Sequence, residues 1–337
     1  MRLPVALHSV ILNQAGRCLL GFTLLFLPIN TACPQQGEDI IEYIDQFSSQ
    51  EKSGKQGIFH KLGNIILGRE TLEIRNPVDV CADSPEAVWI LSQGNASIII
   101  GNKTGLRKAK VINRKNISLP SLVGICSAGK RGLLLTDSYN NSVYALSRDG
   151  TEIQEFGINI ILDRPTGIAS SPINGEVWVV ETNGHRISIL DRDGNFIKSI
   201  GERGTEKGQF NYPTHIWIDS EGNAYIVDSM NYRVQVFDQD GKFLYCFGEA
   251  GNASGYMARP KGIASDSYGN IYVADALFHA VQIFDKKGNF LYSFGSQGKD
   301  EGRFWLPNGL YIDKNNYIYV ADNYNNRIQV FRLLKNP

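Results

Sequence analysis

The stretch Arg259–Gly295, RPKGIASDSYGNIYVADALFHAVQIFDKKGNFLYSFG, decides the fold. It holds four short apolar, β-branched or aromatic runs: GIAS (262–265), IYVAD (271–275), VQIFD (281–285) and FLYSFG (290–295). Such runs favour extended backbone. Between them lie Tyr268-Gly269-Asn270, Leu277-Phe278-His279 and Lys287-Gly288-Asn289, and in the first and third of these glycine accepts the positive φ of tight reversals. The chain therefore reverses three times, and the stretch predicts a four-stranded antiparallel meander with strands a to d.

The same pattern recurs on both sides, as YPTHIWIDSEGNAYIVDSMNYRVQVFDQDGKFLYCFG (212–248) and LPNGLYIDKNNYIYVADNYNNRIQVF (306–331). Pro77, Pro120, Pro165, Pro213, Pro260 and Pro307 open six copies at near-constant spacing. The strands are apolar on both faces, so each sheet needs cover on both sides. Radial stacking of like sheets supplies it, and the prediction is an all-β, six-bladed β-propeller of four-stranded antiparallel blades over residues 58–337. The sixth copy stops after strand c at Phe331. Leu62–Gly68, LGNIILG, ends in glycine as the d strands do and is the expected N-terminal strand that closes the last blade and hides both sheet edges.

Lys plus Arg and Asp plus Glu both total 34, so no excess of charge favours a nucleic acid or an acidic membrane surface. Residues 1–32 combine Arg2 and Arg17 with the apolar run CLLGFTLLFLPI (18–29) and a small-residue exit, which reads as a removed signal peptide. Thr31-Ala32-Cys33 is similar to a bacterial lipobox, with Asn30 where an aliphatic residue is usual. On this reading Cys33 carries a lipid, a polar tether spans 33–57, and the domain is exported, either lipid-anchored at the cell envelope or secreted. Cys81, Cys126 and Cys246 read as small buried thiols, with a Cys81–Cys126 bridge as the minor alternative.

The pattern P-x-G-[IV]-A … G-N-[IL]-Y-V-A-D-x-x-N-x-R-[IV]-x-V-F-D-x-x-G-x-F resembles the NHL repeat. Asp322, Asn325 and Arg327 match its signature fully, as do Asp228, Asn231 and Arg233, whereas Ser92, Asn95 and Ser97 depart furthest. Turn closure is the expected role of the triplet, since such side chains serve their own backbone. The Gly-rich segments beginning at Gly201, Gly248 and Gly295 precede no helix and read as d–a linkers.

The residue four after each signature acid falls at the tip of a b–c turn: Ala96, Asn141, His185, Tyr232, His279 and Asn326. With Tyr139, Tyr324, Arg186, Arg233, Arg327 and Trp305 they enrich one face in residues that anchor interfaces. Strand a lines the channel, where Asp79 and His215 replace glycine in opposite copies. The expected function is a protein-binding scaffold with no cofactor, no metal and no nucleic acid, whose partner is another envelope or extracellular protein. A surface electron-transfer assembly is one candidate, which a chain without a C-x-x-C-H haem motif could serve only as a companion. Two alternatives stand beside it. The resemblance extends to amidating-lyase and streptogramin-lyase propellers, which implies a channel-site lyase or hydrolase, although the residues after the opening prolines (Val78, Ser121, Thr166, Thr214, Lys261, Asn308) include no histidine. Carbohydrate binding by the exposed aromatics is the other.

Overall fold

Every central strand in this molecule must satisfy two hydrophobic neighbours. In Ile271–Asp275 the side chains alternate: Ile271 and Val273 enter one core with Tyr225, Val227 and Met257, and Tyr272 and Ala274 enter the next with Ile318, Val320 and Phe331. Each large side chain so buried contributes about 1.5–3 kcal/mol. A computed structural model describes residues 40–48, 72–102, 104–111, 118–157 and 159–337. Its strands form six four-stranded antiparallel sheets. The six-bladed propeller is thus the observed architecture.

Blade one comprises β2 (Pro77–Ser84), β3 (Ala87–Ser92), β4 (Ser97–Asn102) and β5 (Gly105–Lys108). Blade two comprises β6 (Leu122–Ser127), β7 (Leu133–Asp137), β8 (Ser142–Leu146) and β9 (Ile153–Phe156). Blade three has β10 (Pro165–Ser170), β11 (Val177–Glu181), β12 (Arg186–Leu190) and β13 (Phe196–Ile200), and blade four has β14 (Pro213–Ile218), β15 (Ala224–Asp228), β16 (Arg233–Phe237) and β17 (Phe243–Phe247). Blade five follows with β18 (Pro260–Ser265), β19 (Ile271–Asp275), β20 (Ala280–Phe284) and β21 (Phe290–Phe294). Blade six takes β22 (Pro307–Ile312), β23 (Tyr317–Asp322) and β24 (Arg327–Leu333).

The innermost strands β2, β6, β10, β14, β18 and β22 touch in sequence, and β22 touches β2, so the ring is closed. They approach at the glycine level. A Cβ on Gly167 would lie 2.7 Å from the His215 Cα, one on Gly262 would lie 2.4 Å from the Asn308 oxygen, and one on Gly124 would collide with the Thr166 carbonyl. The d–a loops contribute core as well as linkage. The three that lead into blades four, five and six fold back through a single bridge, Arg203 with Phe210, Ala250 with Met257 and Gln297 with Phe304, and insert a fully buried Phe210, Met257 or Phe304 between blades.

Two sequence expectations are corrected. The closing strand is β1 (Ile41–Ser48), which pairs antiparallel with β24 from Ile41 opposite Leu333 to Ser48 opposite Arg327. It lies inside the segment read as tether, and the expected closing strand Leu62–Gly68 falls outside the described residues, as do residues 1–32 and Cys33. Second, blade two opens at Leu122 and not at Pro120. Leu122 faces Asp137 as Pro165, Pro213, Pro260 and Pro307 face their own signature acids. Val123, not Ser121, is therefore the residue after the opening position. Proline's fixed φ suits that position but does not define it.

Candidate functional site

The b–c turn is the hub of each blade. Asp228 is fully buried and accepts the Asn211 backbone N–H (2.7 Å) together with side-chain N–H groups of Asn231 (2.8 Å), Arg233 (2.8 Å) and Gln235 (3.1 Å). Arg233 Nη2 then donates to the Glu206 and Gln209 carbonyls, pinning the incoming d–a loop. Asp322 repeats the arrangement with Trp305, Asn325, Arg327 and Gln329, and Arg327 also donates to Gln46 Oε1 of the closing strand at 2.9 Å. Arg186 makes a two-pronged pair with Glu181, 2.9 and 3.0 Å, and stays partly exposed. Arg233 and Arg327 are thus braces, and only Arg186 of the three presents appreciable surface.

The tip residues hold the next blade. Ala96, Asn141, His185, Tyr232, His279 and Asn326 all have φ between 45° and 55°. This left-handed backbone turns four of their side chains onto the residue before the next blade's first strand. Asn141 Oδ1 accepts the Arg164 N–H (2.9 Å), His185 Nδ1 that of Tyr212 (3.2 Å), His279 Nδ1 that of Leu306 (3.1 Å) and Asn326 Oδ1 that of Asn76 (2.8 Å). A second clamp comes from the residue after the acid: Ser138, Thr182, Ser229 and Asn323 donate to the carbonyls of Pro165, Pro213, Pro260 and Pro77. His185 is buried against Tyr212, with ring centroids 4.5 Å apart. These positions staple blades together, and Tyr232, half-buried, has no acceptor aimed at the chain ahead.

The exposed apolar surface of this face lies two residues after the acid. There Tyr139, Met230, Leu277 and Tyr324 are exposed by 76, 51, 53 and 56%. Trp305 stacks on Tyr324 at 6.2 Å, with the Lys299 ammonium 5.7 Å from its ring, and Tyr212 and Ile161 add exposed area. The sequence pointed to Tyr139, Tyr324 and Trp305 but missed Met230 and Leu277. The periodic position, apolar or aromatic in four copies, was the available signal.

In the channel a cavity of about 120 Å³ is lined by strand-a residues that include Asp79, His215, Ile125, Ile168, Trp217 and Tyr311. Asp79 accepts the N–H groups of Val80 (3.0 Å) and, from the next blade, Ile125 (2.9 Å). Burial nevertheless raises its carboxyl to about 7. Burial lowers the His215 imidazole to about 3, with the Lys261 charge acting in the same direction, and His215 Nδ1 has no hydrogen-bond partner. Burial also takes Lys261 down to about 8, helped by the like charges of Arg259 and Arg164. The pair singled out in the sequence does share one cavity, although on different hydrogen-bonding terms.

Cys81, Cys126 and Cys246 are free, so the Cys81–Cys126 bridge is not formed. Burial pushes the Cys126 thiol up to about 12. Among the described residues no three His, Cys, Asp or Glu side chains converge into a metal-holding group.

A family model described as NHL repeat matches residues 304–331, and one described as 6-bladed beta-propeller matches residues 171–248. Solved structures agree in fold. The virginiamycin B lyase of Staphylococcus aureus superposes with a TM-score of 0.57 at 16% identity, over 78% of this chain and 97% of that one. An auxiliary nutrient binding protein of Bacteroides thetaiotaomicron gives 0.62 at 15%, over 86% of this chain and 75% of the other. A chain of a nidogen/laminin complex gives 0.53 at 18%, over 69 and 85%. The protein is a six-bladed β-propeller that carries a match to the NHL repeat over its last blade.

Proposed function

We propose that this propeller is an exported protein-binding scaffold whose b–c/d–a face engages another envelope or extracellular protein. The carrying observation is the exposed ring of Tyr139, Met230, Leu277 and Tyr324, extended by Trp305, on turns that the blade staples hold rigid. Rigid presentation means little ordering entropy is lost on association. The similar structures include an auxiliary nutrient binding protein and a chain of a nidogen/laminin complex, which is consistent with a binding role. Attachment through a lipid on Cys33 belongs to the same proposal; incorporation of a labelled fatty acid that is lost in Cys33→Ala tests it.

The test of the face is affinity capture from crosslinked envelopes with the full chain. One specific protein is expected, with recovery down at least tenfold in Tyr139→Ala/Tyr324→Ala, in line with about 2 kcal/mol or more for an aromatic anchor. Capture indifferent to the exposed ring would remove the proposal. A second reading, channel chemistry of the lyase kind, draws on one observation, the shared cavity of Asp79 and His215. Stoichiometric metal surviving dialysis, together with loss of that metal in His215→Ala, would favour it.

A further inference from the structure

Blades three, four and five form one arc of the channel mouth on the b–c/d–a face. Arg164 and Arg259 immediately precede β10 and β18, Lys261 is the second residue of β18, and Thr214 and His215 are the second and third of β14 between them. No ion pair or side-chain hydrogen bond engages Arg164, Arg259 or Lys261 among the described residues. The charges that act on Lys261 are the cations Arg259 and Arg164; of the nearby acids, buried Asp275 spends its carboxylate on the Arg259 backbone N–H (3.0 Å) and Asp163 precedes Arg164 in the exposed loop. The residues flanking the first position of each inner strand are Asn76 and Val78, Ser121 and Val123, Arg164 and Thr166, Tyr212 and Thr214, Arg259 and Lys261, Leu306 and Asn308. Three are cationic and none is anionic. Asp79 stands in the opposite blade and is held by its own and the neighbouring backbone.

The arc also has unmet hydrogen-bonding capacity. Thr166 Oγ1 is satisfied by Thr182 Oγ1 (2.8 Å) and the Thr214 carbonyl (2.9 Å), but the equivalent Thr214 Oγ1 is buried with no partner, as is His215 Nδ1. An unpaired polar atom shut away from water destabilises the fold unless a partner arrives. Like charges crowding one ammonium do the same, and both costs are relieved by one event, the arrival of a negative group that accepts hydrogen bonds.

We infer that this arc of the mouth is a receptor for an oxyanion, a carboxylate or phosphate group, bound by Lys261 between Arg164 and Arg259 with the Thr214 hydroxyl turning to donate. The depressed Lys261 ammonium supports this, because burial and neighbouring cations disfavour its charge while the site is without an anion. The inference does not depend on the partner reading above. The oxyanion is carried either by a free small molecule or by the protein partner, and the experiment separates the two.

Inorganic phosphate and acetate, each titrated into the purified full chain at low ionic strength, are expected to bind saturably at one site. Lys261→Met should weaken binding at least tenfold, and Arg164→Gln and Arg259→Gln, both on exposed side chains that leave folding intact, several-fold each. Binding should also weaken as pH rises through about 8, where the Lys261 proton is lost. Tyr139→Ala/Tyr324→Ala should leave the titration unchanged. Partner capture lost in Lys261→Met assigns the oxyanion to the partner, and capture retained beside lost phosphate binding assigns it to a free molecule. Absence of saturation with both anions, or equal affinity in wild type, Arg164→Gln and Arg259→Gln, overturns the inference.

Discussion

His279 and Asn326 do one job with different chemistry: each adopts left-handed backbone and offers an acceptor to the chain entering the next blade. His279→Asn should therefore leave the urea midpoint nearly unchanged. His279→Ala loses the acceptor and puts an unsuited residue at positive φ, and should cost about 1–3 kcal/mol. The tip ring looked like a binding surface in the sequence because polar and aromatic residues at loop tips usually face solvent. The contrary signal, asparagine at two of six such positions and a blade-opening proline beyond every turn but the first, is intelligible only once the αL geometry is known. Asp79 and His215 contribute opposite pH dependence. The Asp79 carboxyl is raised in the folded state, so its stabilisation is full below its ordinary range near 3.8 and is lost as pH rises through about 7. The His215 imidazole is depressed, so its stabilisation is full above about 6.5 and is lost as pH falls through about 3. The two nearly cancel in the native chain between pH 4 and 6.5. In Asp79→Asn the His215 contribution stands alone, and denaturation midpoints should climb with pH across that window; a flat profile would exclude the assignment.

The d–a connection acts as an element in its own right. Gly295 has φ 92°, and a Cβ there would collide with the Phe304 ring, so the glycine exists to admit the plug. Phe304→Ala opens a void against Phe294 and Phe331 and should cost about 3–5 kcal/mol by chemical denaturation, far more than truncation of the exposed Leu244 on strand d. Strands a to c were legible because two buried faces demand unbroken apolar runs. Strand d was less so. Its outward side is wet, as in Phe196–Ile200, where four of five residues are exposed, and a half-wet strand leaves little hydrophobic signature. That is why Ile41–Ser48, whose side chains are all half-buried or exposed, reads in the sequence as tether, while the apolar LGNIILG reads as the closing strand.

Across the whole ring the seams are unequal. Both clamps act between blades two and three, three and four, and six and one, and one acts between four and five and one between five and six. Between blades one and two neither forms, since Gln93 and Ala96 occupy those positions, and the bond from Ile125 to Asp79 and the ion pair of Arg148 with Asp83 stand in for them. Hydrogen exchange should find the fastest protected amides along β4, β5 and β6, and Asp79→Asn should accelerate them further; uniform protection around the circle would refute the ranking. Removing residues 41–48 should leave β24 bare and the protein prone to aggregate. The closing pair joins Gln46 to Arg327 across 281 residues of chain. A nascent molecule must therefore carry β1 unpaired until β24 is made, so completion of the circle reports that every residue between the two has been translated.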